Sequence, residues 1–209
     1  ETGLTGAKAL EKGFMTGDIL LNLDSEDEGE IFMGCAGGKD TQAVFHYEPR
    51  DTNPNMQYFK IEVKGLNGGH SGGEIHKGLG NANKILVRYL YLLKNQADFN
   101  LCFIHGGNLR NAIAREAQAT IGLYPEAARI LLNHFTADIE NELKHVDPNV
   151  QITMASTDRP DKYISDYDAE KLILALHACP HGVIGMSHDI EGLVETSTNL
   201  ASVKMGDGN

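Results

Sequence analysis

His70 stands in a stretch built to expose a side chain: Gly65-Leu66-Asn67-Gly68-Gly69-His70-Ser71-Gly72-Gly73-Glu74-Ile75-His76-Lys77-Gly78. Six of these residues are glycine, and they surround the imidazole. Glycine permits positive φ and close backbone approach. Such a loop, running into a helix start, can hold His70 away from the fold with backbone N–H groups beside it. The chemistry expected of that arrangement is stabilisation of negative charge developing on a substrate. The alternative is a flexible linker carrying a chance histidine. Linkers are usually padded with serine and lack flanking periodic elements. Here a strand pattern precedes the loop and a helix pattern follows it.

Carboxylates form the other candidate set. Asp24 follows the apolar run at residues 18–23 and opens an acidic cluster, Asp24-Ser25-Glu26-Asp27-Glu28-Gly29-Glu30. A carboxylate at the C-terminal end of a buried strand is where α/β sheets place ligands. Glu26, Asp27, Glu28 and Glu30 read as a solvated loop. For Asp24 the residues alone leave metal ligation and solvation both open, and Glu1 at the chain end is a further possible ligand. His177 and His181 are spaced i and i+4, as on one helix face. Pro180-His181-Gly182 should break the helix first, so no metal site is expected there. His105 reads as structural at a strand end, His76 as a surface or supporting group near a helix start, and His134 and His145 as solvated helix residues.

Elements must position these groups, and periodicity supplies them. Residues 4–12 suggest a short helix ended by Gly13. Residues 18–23 and 31–36 suggest two short buried strands. Residues 37–56 look like a connection rich in Gly, Pro and Asn, with residues 42–47 as a candidate edge strand. From residue 57 the pattern sharpens. Phe59, Ile61 and Val63 alternate with Lys60, Glu62 and Lys64, giving a half-buried strand. A helix is expected over 80–94 from Ile85, Leu86, Tyr89, Leu90 and Leu93. Strands follow at 100–105 and 116–124, then a helix over 125–145 opened by Pro125, then a strand at 150–155. The order β-α-β-β-α-β predicts the ferredoxin-like arrangement: one antiparallel sheet of four strands with two helices on one face. An additional helix over 166–178, capped by Ser165 or Asp166, and one long strand over 193–205 are expected after it.

Composition bounds the function. The chain has 209 residues, 41% hydrophobic and 7% aromatic, with a net charge of −11. That charge, without a basic cluster, argues against nucleic acid or an anionic membrane surface as partner. No apolar run approaches the ~20 residues of a spanning helix, and no signal-peptide pattern opens the chain. Cys35, Cys102 and Cys179 are scattered and odd in number. Reduced thiols in a cytoplasmic protein are expected, with Cys102 packed in the core. The start on Glu1-Thr2-Gly3 and the hairpin-type end Gly206-Asp207-Gly208-Asn209 suggest a piece of a longer polypeptide.

Several runs together resemble a known family. Glu1-Thr2-Gly3-Leu4-Thr5-Gly6-Ala7, Asn22-Leu23-Asp24-Ser25-Glu26 and Gly68-Gly69-His70-Ser71-Gly72 are similar to the dinuclear zinc peptidases that include carnosinase. Asn111-Ala112-Ile113-Ala114-Arg115-Glu116-Ala117, His177-Ala178-Cys179-Pro180-His181-Gly182-Val183 and Gly192-Leu193-Val194-Glu195-Thr196-Ser197 narrow the resemblance to bacterial aminoacyl-histidine (Xaa-His) dipeptidases. The resemblance implies a catalytic α/β domain interrupted by a lid domain. Residues 1–37 would be a remnant of the catalytic domain. Residues 38–209 would be the lid, incomplete at its C-terminus, which often mediates homodimerisation. It also implies two zinc ions, with Glu1 ligating one and Asp24 the other. The general base, the bridging aspartate and both ligand histidines have no counterpart here, so the isolated chain is expected to be inactive. His70 matches the lid histidine that stabilises the tetrahedral oxyanion. Asn111 matches a lid asparagine near the carboxylate end of a dipeptide substrate. Ala114 stands where the family often has proline. Two alternatives remain: a stand-alone binding or dimerisation module, and a related hydrolase of another amino-acid amide.

Overall fold

The structure is a computed structural model and describes residues 5–21, 23, 29, 31 and 37–206. The chain divides into two compact units, residues 1–37 and 38–209. In the first, α1 (Thr5–Lys8) is a single helical turn. The strand expected over 18–23 is not there among the described residues, and Ile19, Leu20, Leu21 and Leu23 are exposed. The physical reason is the want of a neighbour: no described strand pairs with this segment, and a lone strand leaves its backbone groups unbonded and its apolar face wet. The second expected strand, at 31–36, lies outside the described residues except for Ile31.

Among its described residues, the second unit has a five-stranded antiparallel sheet, three two-stranded ladders and three α-helices. Its elements are β1 (Pro49–Asp51), β2 (Gln57–Lys64), β3 (Gly69–His70), α2 (Ala82–Lys94), β4 (Asn100–Gly106), β5 (Ala112–Ile113), β6 (Ala117–Leu123), α3 (Pro125–Leu143), β7 (Gln151–Ser156), β8 (Lys162–Ile164), α4 (Asp166–Ala178), β9 (Gly182–Met186), β10 (Val194–Thr198) and β11 (Val203–Lys204). The sheet order is β11-β4-β6-β2-β7. β2 sits between β6 and β7, with Phe59 opposite Ile121 and Ser156, and Ile61 opposite Ala119 and Met154.

The alternation in β2 sends Phe59, Ile61 and Val63 into the core and leaves Lys60 and Glu62 on the other face. The helices cover the apolar face. Leu86, Tyr89, Leu90 and Leu93 of α2 join Ala128, Leu132, Phe135 and Ile139 of α3 in one cluster with the inward residues of β2, β4 and β6. The Tyr89 hydroxyl donates to the Ala128 carbonyl at 2.9 Å, so this buried ring carries no orphaned polar atom. Truncating a core residue such as Leu90 to alanine should cost about 2–5 kcal/mol. α4 lies against α2, with Ala169 and Ile173 buried. Ser165 caps it, its hydroxyl accepting from the Asp168 N–H at 3.3 Å.

Two connections differ from expectation. The single strand expected over 193–205 is two strands: β10 pairs with β9, and β11 extends the sheet beside β4. Between them the Leu200 carbonyl is taken by the side-chain amides of Asn81 and Asn83, at 3.1 and 3.2 Å. Asparagine side chains therefore replace the ladder and turn the chain. The edge strand expected at 42–47 is absent; β1 begins at Pro49 and pairs with β8. Side chains anchor the approach instead, the Tyr47 hydroxyl donating to the Gly206 carbonyl at 2.7 Å and the Glu48 N–H to Asp168 at 3.0 Å. The turn expected at 206–209 lies outside the described residues beyond Gly206.

Candidate active site

β2 delivers the chain into the glycine loop, and α2 receives it. Within the loop, β3 pairs with β5, Gly69 opposite Ile113 and His70 opposite Ala112. The Ser71 N–H donates to the Asn111 carbonyl at 2.9 Å. His70 and Asn111, distant in sequence, are thus brought together by a two-strand ribbon. The ribbon is strapped from beyond, where the Asn199 amide donates to the Ala112 carbonyl at 2.8 Å. A tight turn follows His70. Its N–H donates to Glu74 Oε2 at 2.8 Å, and the Glu74 N–H returns to the His70 carbonyl at 2.9 Å. Glu74 also pairs with Lys77 at 2.8 Å. The Lys77 ammonium, with help from the His70 N–H, holds the Glu74 carboxyl below its usual range.

The imidazole is oriented by backbone. His70 Nδ1 accepts from the N–H groups of Gly72 and Gly73, both at 3.1 Å. A ring nitrogen that accepts carries no proton, so the neutral ring holds its proton on Nε2. The exposed ring therefore offers an N–H donor at Nε2. The expectation placed backbone N–H groups beside the ring; those of Gly72 and Gly73 lie there and donate to the ring itself.

His70 lines an open groove of about 780 Å³. Asn111, Arg115, Lys64, Glu62 and His105 line the same groove. His105, expected to be structural, projects from the outer sheet face beside Phe103, with ring centroids 6.1 Å apart. Arg115 is exposed, and its aliphatic stem runs over Gly68. Gly68 has φ +65°, and a Cβ there would lie 2.7 Å from Arg115 Cδ and closer still to its Cγ. Another recess, of about 700 Å³, lies among Tyr47, Tyr163, Tyr167 and Asp168, and none of the candidate residues lines it.

The metal candidates Glu1 and Asp24 lie outside the described residues. Among the described residues, no three His, Cys, Asp or Glu side chains gather to hold a metal ion. The described part of the chain thus offers no donor set for zinc. His177 and His181 do not converge. The His177 ring stacks on Tyr91 with centroids 4.2 Å apart, while His181, beyond the helix end, has Nδ1 3.3 Å from the Asn81 amide.

Four groups escaped the sequence reading. Arg115 lies in the same run as Asn111, and nothing local in the sequence distinguishes it from a solvated arginine. Glu74 closes the His70 turn at short range. Lys84 donates to the carbonyls of Leu176, His177 and Cys179 at 3.1, 2.7 and 2.7 Å, capping the end of α4. Asp147 is buried just past α3. A carboxylate near a helix C-terminus opposes the helix dipole, and that oddity could have flagged it.

Residues 61–151 match the M20 peptidase dimerisation domain. The chain is 42% identical over its full length to the cytosol non-specific dipeptidase of Escherichia coli (strain K12), of which it spans 44%. It is 38% identical to the aminoacylhistidine dipeptidase of Vibrio alginolyticus, superposing on that crystal structure over its full length with a TM-score of 0.85 and covering 43% of it. The chain thus spans less than half the length of either relative. Among the described residues, no helix is long and apolar enough to cross a membrane.

Proposed function

We propose that the chain is part of a metal-dependent dipeptidase acting on Xaa-His dipeptides, because residues 61–151 match a peptidase dimerisation domain and the whole chain is similar to dipeptidases. Residues 38–209 are assigned to the lid, with the βαββαβ core read as ferredoxin-like, and residues 1–37 to the end of a catalytic segment. The lid is assigned to a homodimer interface. A cytoplasmic location accords with the reduced thiols expected and with the cytosolic description of the relative.

The observation that carries this reading is the pair of backbone N–H groups that converge on His70 Nδ1. Two backbone donors occupy Nδ1, so the outward Nε2–H is poised to donate to an oxyanion. A preorganised donor of this kind contributes roughly 2.7–4 kcal/mol to a transition state. Asn111 and Arg115 lie along the same groove and suit the substrate's carboxylate end. A guanidinium matches a carboxylate with two parallel N–H donors. Glu1 and Asp24 are assigned to zinc on the resemblance alone. When bound, such a pair of ions would polarise the peptide carbonyl and supply a hydroxide. By the same resemblance the general base falls outside these residues, and the 209-residue chain alone is expected to hydrolyse nothing.

The test uses the product of the complete reading frame that encodes this chain. Expected is chelator-sensitive hydrolysis of histidine dipeptides, faster than of dipeptides lacking histidine. Equal rates on both would leave a non-specific dipeptidase, in line with the Escherichia coli relative's description. Metal-independent or absent hydrolysis would overturn the proposal. Hydrolysis by the isolated chain would overturn its division of labour.

A further inference from the structure

The glycine loop leaves the core and re-enters it at one place, and a single side chain joins the two legs. Asp147 is fully buried, at 0% exposure. Its Oδ1 accepts the backbone N–H of Asn67 at 2.6 Å, and its Oδ2 accepts that of Gly80 at 2.7 Å. Asn67 stands at the start of the loop and Gly80 at its end. The Asn67 side-chain amide adds a bond to the Val146 carbonyl at 2.6 Å. Among the described residues, no lysine, arginine or histidine forms an ion pair with Asp147. A buried carboxylate near the negative end of a helix is costly unless donors converge on it. Here the donors are the two ends of the loop.

The neck is closed by contact as well as by charge. A Cβ on Gly80 would stand 2.9 Å from both Leu143 Cδ1 and Leu66 Cδ2, and 3.3 Å from Asp147 Oδ2. Gly65 has φ +80°, and a Cβ there would overlap the Asn149 carbonyl. At Gly65 the backbone of the turn after α3 leaves no room for a side chain, and at Gly80 one would fit only if Leu66 and Leu143 shifted. What lies between, residues 68–79, is rich in glycine and loses much backbone freedom on ordering. An open neck would release that freedom.

We propose that Asp147 is a positioning residue for His70. By joining Asn67 to Gly80 it holds the loop in the one conformation that lets Gly72 and Gly73 occupy Nδ1 and leaves Nε2–H outward. The inference rests on the reading of His70 as the oxyanion donor, and the test separates the two.

Hydrogen exchange by NMR on the unaltered 209-residue chain comes first. The amides of Asn67 and Gly80 should be protected at least tenfold more than those of Ser71, Gly72 and Gly73. Asp147→Asn then replaces one acceptor with a donor facing an N–H. The expected result is retained signals for β2, β4 and β6, with loss of the Nε2–H tautomer signature in the His70 15N shifts. In the complete polypeptide, Asp147→Asn should lower kcat at least tenfold at unchanged KM, with no further loss on adding His70→Ala. Neck amides exchanging as fast as the loop tip would overturn the clamp, and this holds even if Asp147→Asn fails to fold. So would an Asp147→Asn protein with unaltered His70 signals and kcat. If His70→Ala itself leaves kcat unchanged while the neck amides stay protected, the oxyanion reading falls and the clamp stands.

Discussion

Replacing Gly68 by alanine probes the groove where backbone strain and ligand binding part company. Gly68 sits at φ +65°, a conformation that costs an L-residue about 1–2 kcal/mol. The added Cβ would overlap Arg115 Cγ, lie 2.7 Å from Arg115 Cδ and stand 3.1 Å from the Ile113 carbonyl oxygen, so the whole arginine side chain must change rotamer. Arg115 is exposed and long, so it swings away at little cost. The Ile113 carbonyl belongs to β5 and gives by tenths of an ångström. The whole change should therefore cost about 1–2 kcal/mol, against a typical domain stability of roughly 5–15 kcal/mol. In a domain of this size that lowers Tm by about 2–8 °C. The functional effect is separate. Moving the guanidinium out of the groove removes a charge-assisted contact worth about 1.5–3 kcal/mol, or about 10- to 150-fold in affinity. Steady-state kinetics of the complete polypeptide should show KM raised by that factor for a dipeptide with a free carboxylate, with kcat kept. The same dipeptide with an amidated C-terminus should show no change. Arg115→Ala should reproduce the KM effect without the fall in Tm, and the double variant should add nothing. Equal KM changes for acid and amide, or a Tm fall with unchanged KM, would refute the assignment of Arg115.

Two further outcomes are expected from stability measurements. Lys84→Met keeps the apolar stem but strips three carbonyls at the end of α4 of their donor; the cost should be about 2–3 kcal/mol, read by urea unfolding, and a loss under 0.5 kcal/mol would contradict the cap. Burial, and secondly the Lys84 ammonium, lower the His181 pKa from its ordinary value of 6.5. The unfolded chain then binds the proton more readily, so stability should fall as pH drops below about 6.5, towards the lowered folded value. His181→Gln should make Tm fall less between pH 7 and pH 5 than in the parent; an identical fall would exclude His181 from the acid response.

Legibility in the sequence followed the range of the interaction. The alternation of Phe59, Ile61 and Val63, the helical spacing of Leu86, Leu90 and Leu93, and the Ser165 cap are local patterns with local causes, and each element formed where its pattern lay. Residues 18–23 carried a good strand pattern and formed none among the described residues, because a strand also needs a neighbour. Residues 193–205 split because Asn81 and Asn83, far away in sequence, capture the Leu200 carbonyl. The site divides the same way. His70 was visible because its surroundings are local glycines. Asp147 was not, since its partners Asn67 and Gly80 lie across the fold. The direction of the ring was also hidden, because only coordinates show which nitrogen Gly72 and Gly73 occupy.

The most direct measurement is the turnover of His70→Ala in the product of the complete reading frame, on a histidine dipeptide at saturating concentration. His70 is exposed and its Nδ1 partners are free to bond water instead, so folding should be little affected, which unchanged Tm would verify. The expected result is a kcat lowered about 10²–10³-fold with KM nearly unchanged. A kcat within about threefold of the parent, well short of an oxyanion-donor loss, would contradict the central claim that this loop delivers a hydrogen-bond donor to the reaction.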